Sequence, residues 1–230
     1  MENRAVICED VCIGYDAGDV VQNVSISIEA GSFLPVVGLN GAGKTTLLRA
    51  ILGLLSPRRG SLQANFGGRP AGYVPQQRVI DPMMPLSVRQ LVQMGLHSEL
   101  GFWRRPNAEQ RDRLDQALDS LGLLPHQDKT FRELSGGMKQ KALVARALVS
   151  NAEVYIMDEP TSELDAGSEW EVLTTLHRLS EQEGKTVLIA HHGLGVIAKL
   201  AAEVCIMEHG GARLAPVAEI REFSIPESRA

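Results

Sequence analysis

Three glycines, a lysine and a threonine at fixed spacing make Gly38-Leu39-Asn40-Gly41-Ala42-Gly43-Lys44-Thr45-Thr46 a candidate phosphate cradle. Gly38, Gly41 and Gly43 permit turns that a Cβ would forbid, so successive N–H groups can point inward at an anion. Lys44 offers a flexible positive charge to β- and γ-phosphates, and the Thr45 hydroxyl suits a Mg²⁺ ligand. The apolar run Phe33 to Val37 precedes the loop, and Leu47, Leu48, Ile51, Leu52 and Leu55 follow at helical spacing. Strand, loop and helix are therefore expected, with the helix near Lys44 adding the positive end of its dipole. The predicted ligand is a nucleotide.

Carboxylates, a histidine and a second glycine-rich loop lie downstream. The apolar strand pattern Val154 to Met157 ends in Asp158-Glu159, where a parallel strand would bring both to the ligand side of the sheet. Asp158 can hold Mg²⁺ directly or through water, and Glu159 is placed to orient or deprotonate an attacking water. Thr161 to Asp165 continues as a loop. Another buried strand, Thr186 to Ala190, ends in His191-His192, so a histidine can reach a γ-phosphate. An adjacent histidine pair is a poor metal site, because neighbours on a strand point to opposite faces. Leu134-Ser135-Gly136-Gly137-Met138 opens a long helical pattern and is either a second anion site or an ordinary N-cap. Gln76 ends a short strand pattern at Ala71 to Val74. Tyr15 follows the first strand, where it either stacks on an adenine ring or simply closes the strand.

These residues need a scaffold of strands and helices. Residues 4 to 15 read as a strand, and 20 to 28 alternate Val24, Ile26 and Ile28 against Asn23, Ser25 and Ser27. An antiparallel sheet beside the nucleotide site is the expected result. Pro35 is unusual in a strand and is expected early in it. From about residue 77 to 150 the pattern turns helical: Ser87 and Asn107 read as N-caps, and Leu114, Ala117, Leu118 and Leu121 keep helical spacing until Gly122. Residues 95 to 105 read as irregular. Met83, Met84, Leu86, Phe102 and Trp103 are either the core of this helical insertion or a docking surface. A helix over 167 to 181, a short one around Leu194 to Ala198, and a final strand over 204 to 207 complete the pattern.

Composition narrows the class. With 230 residues and 44% hydrophobic content, one large domain with an insertion is expected. The net charge of −5 argues against a nucleic-acid partner. No apolar run reaches membrane-spanning length, and Met1-Glu2-Asn3-Arg4 does not read as a signal peptide, so a soluble, cytoplasmic chain is expected. Cys8, Cys12 and Cys205 form no C-x-x-C pair and read as small buried hydrophobes, Cys8 and Cys12 facing the same side of one strand.

In their order these motifs resemble the ATP-binding subunits of ABC transporters over roughly residues 4 to 215. The resemblance makes Tyr15 the adenine-stacking aromatic, Gly38 to Thr45 the Walker A loop, Gln76 the Q-loop, and Leu134 to Met138 the signature loop. It makes Val154 to Asp158 the Walker B strand, Glu159 the catalytic carboxylate, Ser162 to Asp165 the D-loop, and His191 the switch histidine. Met138 stands where glutamine is usual, and His192 where aspartate is usual. The stretch from Met94-Gly95-Leu96-His97 through Gly101-Phe102-Trp103-Arg104-Arg105-Pro106 looks like ATPases of zinc, manganese and iron(II) importers.

The resemblance implies an α/β fold: a P-loop NTPase core with a mixed sheet, an N-terminal antiparallel β-subdomain and an α-helical subdomain insertion. Residues 1–76 and 151–230 would form the core and β-subdomain, and 77–150 the helical subdomain. It implies ATP and Mg²⁺ as cofactors, with Thr45, Gln76 and Asp158 at the metal. Asn40, Ala42, Thr46, Ser135, Gly136, Gly137 and Asp165 would also touch nucleotide. It further implies head-to-tail pairing of two copies, a membrane permease gripping the helical insertion, a solute-binding protein in the complex, and a place on the cytoplasmic face of the membrane. A soluble ABC ATPase, as in iron–sulfur cluster assembly, would share every motif. A phosphate-loop kinase or switch GTPase would lack the Ser135 loop and Glu159, and this chain has no N-K-x-D guanine signal.

Overall fold

The computed structural model describes residues 3–16, 18–76, 85–101 and 104–222. Met83, Met84, Phe102 and Trp103 lie outside them. β1 (Arg4–Tyr15) pairs antiparallel with β2 (Gly18–Glu29) on one side and with β4 (Arg59–Ala64) on the other. The second sheet contains β3 (Phe33–Val37), β5 (Gly72–Val74), β6 (Val154–Asp158), β7 (Thr186–Ala190), β8 (Glu203–Glu208) and β9 (Gly211–Pro216), in the order β5-β6-β7-β3-β8-β9. All its pairings are parallel except β8 with β9.

Every residue of β3, β6 and β7 is buried, because both faces of this sheet are covered. Strand alternation divides them between two cores. Leu34, Val36, Ile156 and Leu188 join Val6, Ile13 and Ile28 around α1 (Lys44–Ile51), which lies between the two sheets. Phe33, Val37, Tyr155, Met157 and Ile189 face the other way, into a core shared with the helices between β5 and β6. Each fully buried aliphatic side chain contributes about 1.5–3 kcal/mol.

Those helices are α2 (Val88–Gln93), α3 (His97–Leu100), α4 (Ala108–Asp119) and α5 (Gly136–Leu148). Ser87 and Asn107 cap α2 and α4 as predicted, each in a reciprocal box with the glutamine three residues on. The first part of the stretch expected to be irregular is instead a 3-10 turn (Met94–Leu96) running into α3, while Arg104 and Arg105 carry no regular structure, as expected. Glu99 of α3 accepts from Arg113 and Gln110 of α4, and Arg113 above all holds its carboxyl below the usual carboxylate range. α6 (Ala166–Glu183) connects β6 to β7, and α7 (Leu194–Leu200) connects β7 to β8.

Three local expectations are revised. Asp10 takes φ 49° at a register shift in β1, and this bulge moves the inward parity from Cys8 to Val11 and Ile13. Cys12 is therefore buried away from that core, where its Sγ lies 3.3 Å from both the amide N and Oδ1 of Asn23. All three cysteines are buried and free, as predicted, with the Cys8 thiol pushed up to about 11 by burial. Pro35 sits mid-strand rather than early. The Ser32 and Val36 carbonyls accept from the amides of Val187 in β7 and His191 just beyond it, so Pro35 turns its backbone toward β8, whose pairing with β3 begins only at Val36. The strand around 204–207 is not the last, because His209 (φ 48°) and Gly210 (φ 83°) turn the chain into β9.

Candidate active site

The carboxyl ends of β3, β7 and β6 lie side by side, Val36 opposite Ala190 and Ala190 opposite Asp158. The glycine loop, His191 and the Asp158-Glu159 pair therefore emerge at one edge. Gly38 must be glycine, since a Cβ there would stand 2.4 Å from the Met207 carbonyl oxygen. Gly43 takes φ 102° as the N-cap of α1, and a Cβ would press Val21 Cγ2 at 3.1 Å. Lys44, Thr45 and Thr46 are thereby fixed as the first turn of α1, while Leu39, Asn40 and Gly41 stay exposed.

Lys44 folds back over its own loop, its Nζ donating to the carbonyls of Gly38 at 2.8 Å and Leu39 at 3.1 Å. Burial lowers its pKa, and the charges of Glu159 and Asp158 oppose that shift. Thr45 Oγ1 donates to Asp158 Oδ1 at 3.1 Å. Burial also raises the Asp158 carboxyl, against the hydrogen bond from Thr45. A buried carboxylate beside a hydroxyl is a hard-oxygen donor set that fits Mg²⁺.

Glu159 has φ 51°, a left-handed conformation rare for a residue with a side chain, held by its N–H donating to the Ala190 carbonyl. Its Oε2 accepts from Gln76 Nε2 at 3.1 Å, so these two predicted residues meet. His191 is buried just beyond β7 and lies near Glu159 in charge terms, whereas His192 is exposed and stacks on it. Tyr15 is 45% exposed, free to stack on a ring, with its hydroxyl beside Arg49.

The remaining predicted residues lie elsewhere. Ser135 is the exposed N-cap of α5, its Oγ accepting from Met138 N at 3.3 Å, with Gly136 and Gly137 in the first turn. Helix α5 meets β5 near its C-terminal end, where Ala147 lies against Gly72, while Gly137 at its start packs beside Leu164 in the loop after β6. Asp165 is the N-cap of α6, and its side chain accepts from Gly167 and Ser168. Those capping bonds hold its carboxyl below the usual range. A cavity of about 700 Å³ runs behind the loop past Gly38, Gly41, Leu194 and Met207, and its walls include neither Lys44 nor Asp158.

Glu169 was not singled out from the sequence. Its Oε1 lies 2.9 Å from His191 Nε2 and 3.4 Å from Thr161 Oγ1. In the sequence it looks like any acidic residue in a helix's first turn, favoured there by the dipole.

Residues 21–162 match the ABC transporter family. The chain is similar to the zinc transport system ATP-binding protein AdcC of Streptococcus pneumoniae, 37% identical over 82% of this chain and 83% of that protein. It is similar to the manganese transport system ATP-binding protein MntB of Bacillus subtilis, 35% identical over 81% of this chain and 76% of that one. Among solved structures it is similar to an ABC transporter assigned to the metal-chelate type, in an inward-facing conformation. That match has a TM-score of 0.83 and 29% identity, covering 95% of this chain and 85% of the other. Among the described residues no helix is long and apolar enough to cross a membrane.

Proposed function

We propose that this chain, which belongs to the ABC transporter family and hydrolyses ATP as its nucleotide-binding subunit, powers the uptake of a divalent metal ion. One observation carries the chemistry: Thr45–Asp158, Gln76–Glu159 and His191 converge at the ends of adjacent parallel strands beside the glycine loop. The cargo class rests on relatives named for zinc and manganese transport.

ATP enters with its adenine on Tyr15 and its phosphates in the backbone cradle from Gly38 to Thr46, Asn40 and Ala42 included. Lys44 leaves the loop carbonyls and turns to the β- and γ-phosphates. Thr45, Asp158 and Gln76 would hold Mg²⁺, which supplies neutralisation of the charge developing on the phosphate oxygens. Glu159 orients the attacking water and accepts its proton, and His191 donates to the γ-phosphate. Catalysis is positioning and electrostatics.

The Ser135-Gly136-Gly137 loop is a second anion-directed helix start, separate in sequence from the one at Lys44. It completes the site of a second copy, most simply an identical one, and ATP bridges the pair. Asp165 and its neighbours line that seam. Residues 77–150 act as a helical subdomain that receives a cytoplasmic segment of a permease, with Gln76 as the link to the γ-phosphate. The chain then works at the cytoplasmic face of the membrane, in a complex served by a solute-binding protein.

The test is purification of the chain with the membrane protein it accompanies, followed by ATP hydrolysis with and without zinc or manganese supplied to the complex. Metal-stimulated hydrolysis in a membrane-bound complex is expected. A purely soluble assembly would overturn the transport reading.

A further inference from the structure

The buried surroundings of His191 show which proton it carries and what holds it. The Gly193 N–H donates to Nδ1 at 2.8 Å, so Nδ1 bears the lone pair and Nε2 bears the proton. Nε2 points at Glu169 Oε1, 2.9 Å away, with Thr161 Oγ1 at 3.1 Å. Thr161 and His191 are both buried, and Glu169 belongs to the first turn of α6, immediately after the loop capped by Asp165. The imidazole is thus tied through one carboxylate to the helix that carries the Ser162 to Asp165 loop.

We propose that Glu169 is a positioning residue: together with the Gly193 N–H on Nδ1 it holds His191 in the Nε2–H tautomer, and it anchors the ring to the start of α6 until the γ-phosphate of ATP competes for that donor. The inference rests on the reading above in which His191 meets the γ-phosphate. A hydrogen-bonded carboxylate commonly fixes the tautomer of a working histidine from the opposite ring nitrogen. Here it occupies the working nitrogen itself, so nucleotide binding exchanges one anionic acceptor for another without moving the proton. The same exchange frees α6 from His191, linking phosphate arrival to the loop at the seam between two copies.

The experiment measures phosphate release by the full-length chain with Mg-ATP, together with the ¹⁵N side-chain spectrum of His191. Glu169→Ala should lower kcat about 5- to 10-fold, change KM for ATP less than about 2-fold, and give mixed His191 tautomers. Glu169→Gln keeps an acceptor and should stay within about 2-fold of the parent kcat with the Nε2–H tautomer retained. Should Glu169→Ala fail to fold, Glu169→Asp withdraws the acceptor by one methylene and should show the same loss. Parent kcat with an unmixed tautomer in the Ala or Asp variant overturns the proposal, as does equal loss in the Gln variant. His191→Ala separates the two readings: if it hydrolyses ATP normally, the role of His191 itself is wrong. If it is inactive while Glu169→Ala is not, only the role of Glu169 falls.

Discussion

Thr45 and Asp158, 113 residues apart in the chain, share a 3.1 Å hydrogen bond that joins the first turn of α1 to the end of β6. Asp158 is buried there, with the charges of Lys44 and Arg49 only partly offsetting the effect of its burial. Burial raises the Asp158 carboxyl above its ordinary 3.8, so the folded chain binds that proton more tightly than the unfolded chain does. Stability from this group is therefore greatest in acid and falls as pH rises through the window above 3.8.

Asp158→Asn removes that cost while keeping an acceptor for Thr45. Without nucleotide, the variant should melt about 2–4 °C higher at neutral pH, the shift that ~1 kcal/mol makes in a domain this size. Its Mg-ATP hydrolysis should fall about 100-fold, a loss of ~2.7 kcal/mol. Calorimetry and phosphate release check the two halves; a variant that melts lower, or that hydrolyses normally, contradicts the assignment.

Lys44→Ala tests the cradle. Nζ is held by two loop carbonyls at 2.8 and 3.1 Å, ready to be exchanged for phosphate oxygens. ATP affinity should drop about 10- to 100-fold, or ~1.4–2.7 kcal/mol. Fluorescent-nucleotide titration measures it, and unchanged binding and turnover would remove the loop from the mechanism.

His191 sets a pH dependence of the opposite sign to Asp158. Burial lowers its imidazole below the ordinary 6.5, with the nearby charge and hydrogen bond of Glu169 opposing. The fold keeps it neutral and the unfolded chain protonates it, so its contribution is complete above 6.5 and is lost as pH falls below that value. Thermal melts from pH 7.5 to 5.5 should therefore fall less steeply for His191→Asn than for the parent. Parallel curves would mean that His191 is equally basic in both states.

Much of this was legible because the chemistry dictates residue identity. Only glycine passes Met207 at position 38, and a phosphate loop needs its lysine and hydroxyl in one register. Strands β3, β6 and β7 announced themselves as apolar runs buried on both faces. β9 did not, since Gly211–Pro216 is half-exposed at the sheet edge and lacks alternation. The bulge at Asp10 was hidden as well, because an aspartate gives no local sign that it will take a positive φ and shift Cys12 off the core. Glu169 was missed for a different reason: its significance comes from His191, 22 residues on, and only the fold brings the two together.

The central claim is that the Ser135 loop of one copy completes the nucleotide site of another. Glu159→Gln should slow hydrolysis at least 100-fold while leaving the cradle intact. With Mg-ATP, light scattering should then give twice the 25.0 kDa of one chain, returning to a single chain when nucleotide is removed. A variant that binds Mg-ATP tightly and still has the mass of one chain would contradict the account.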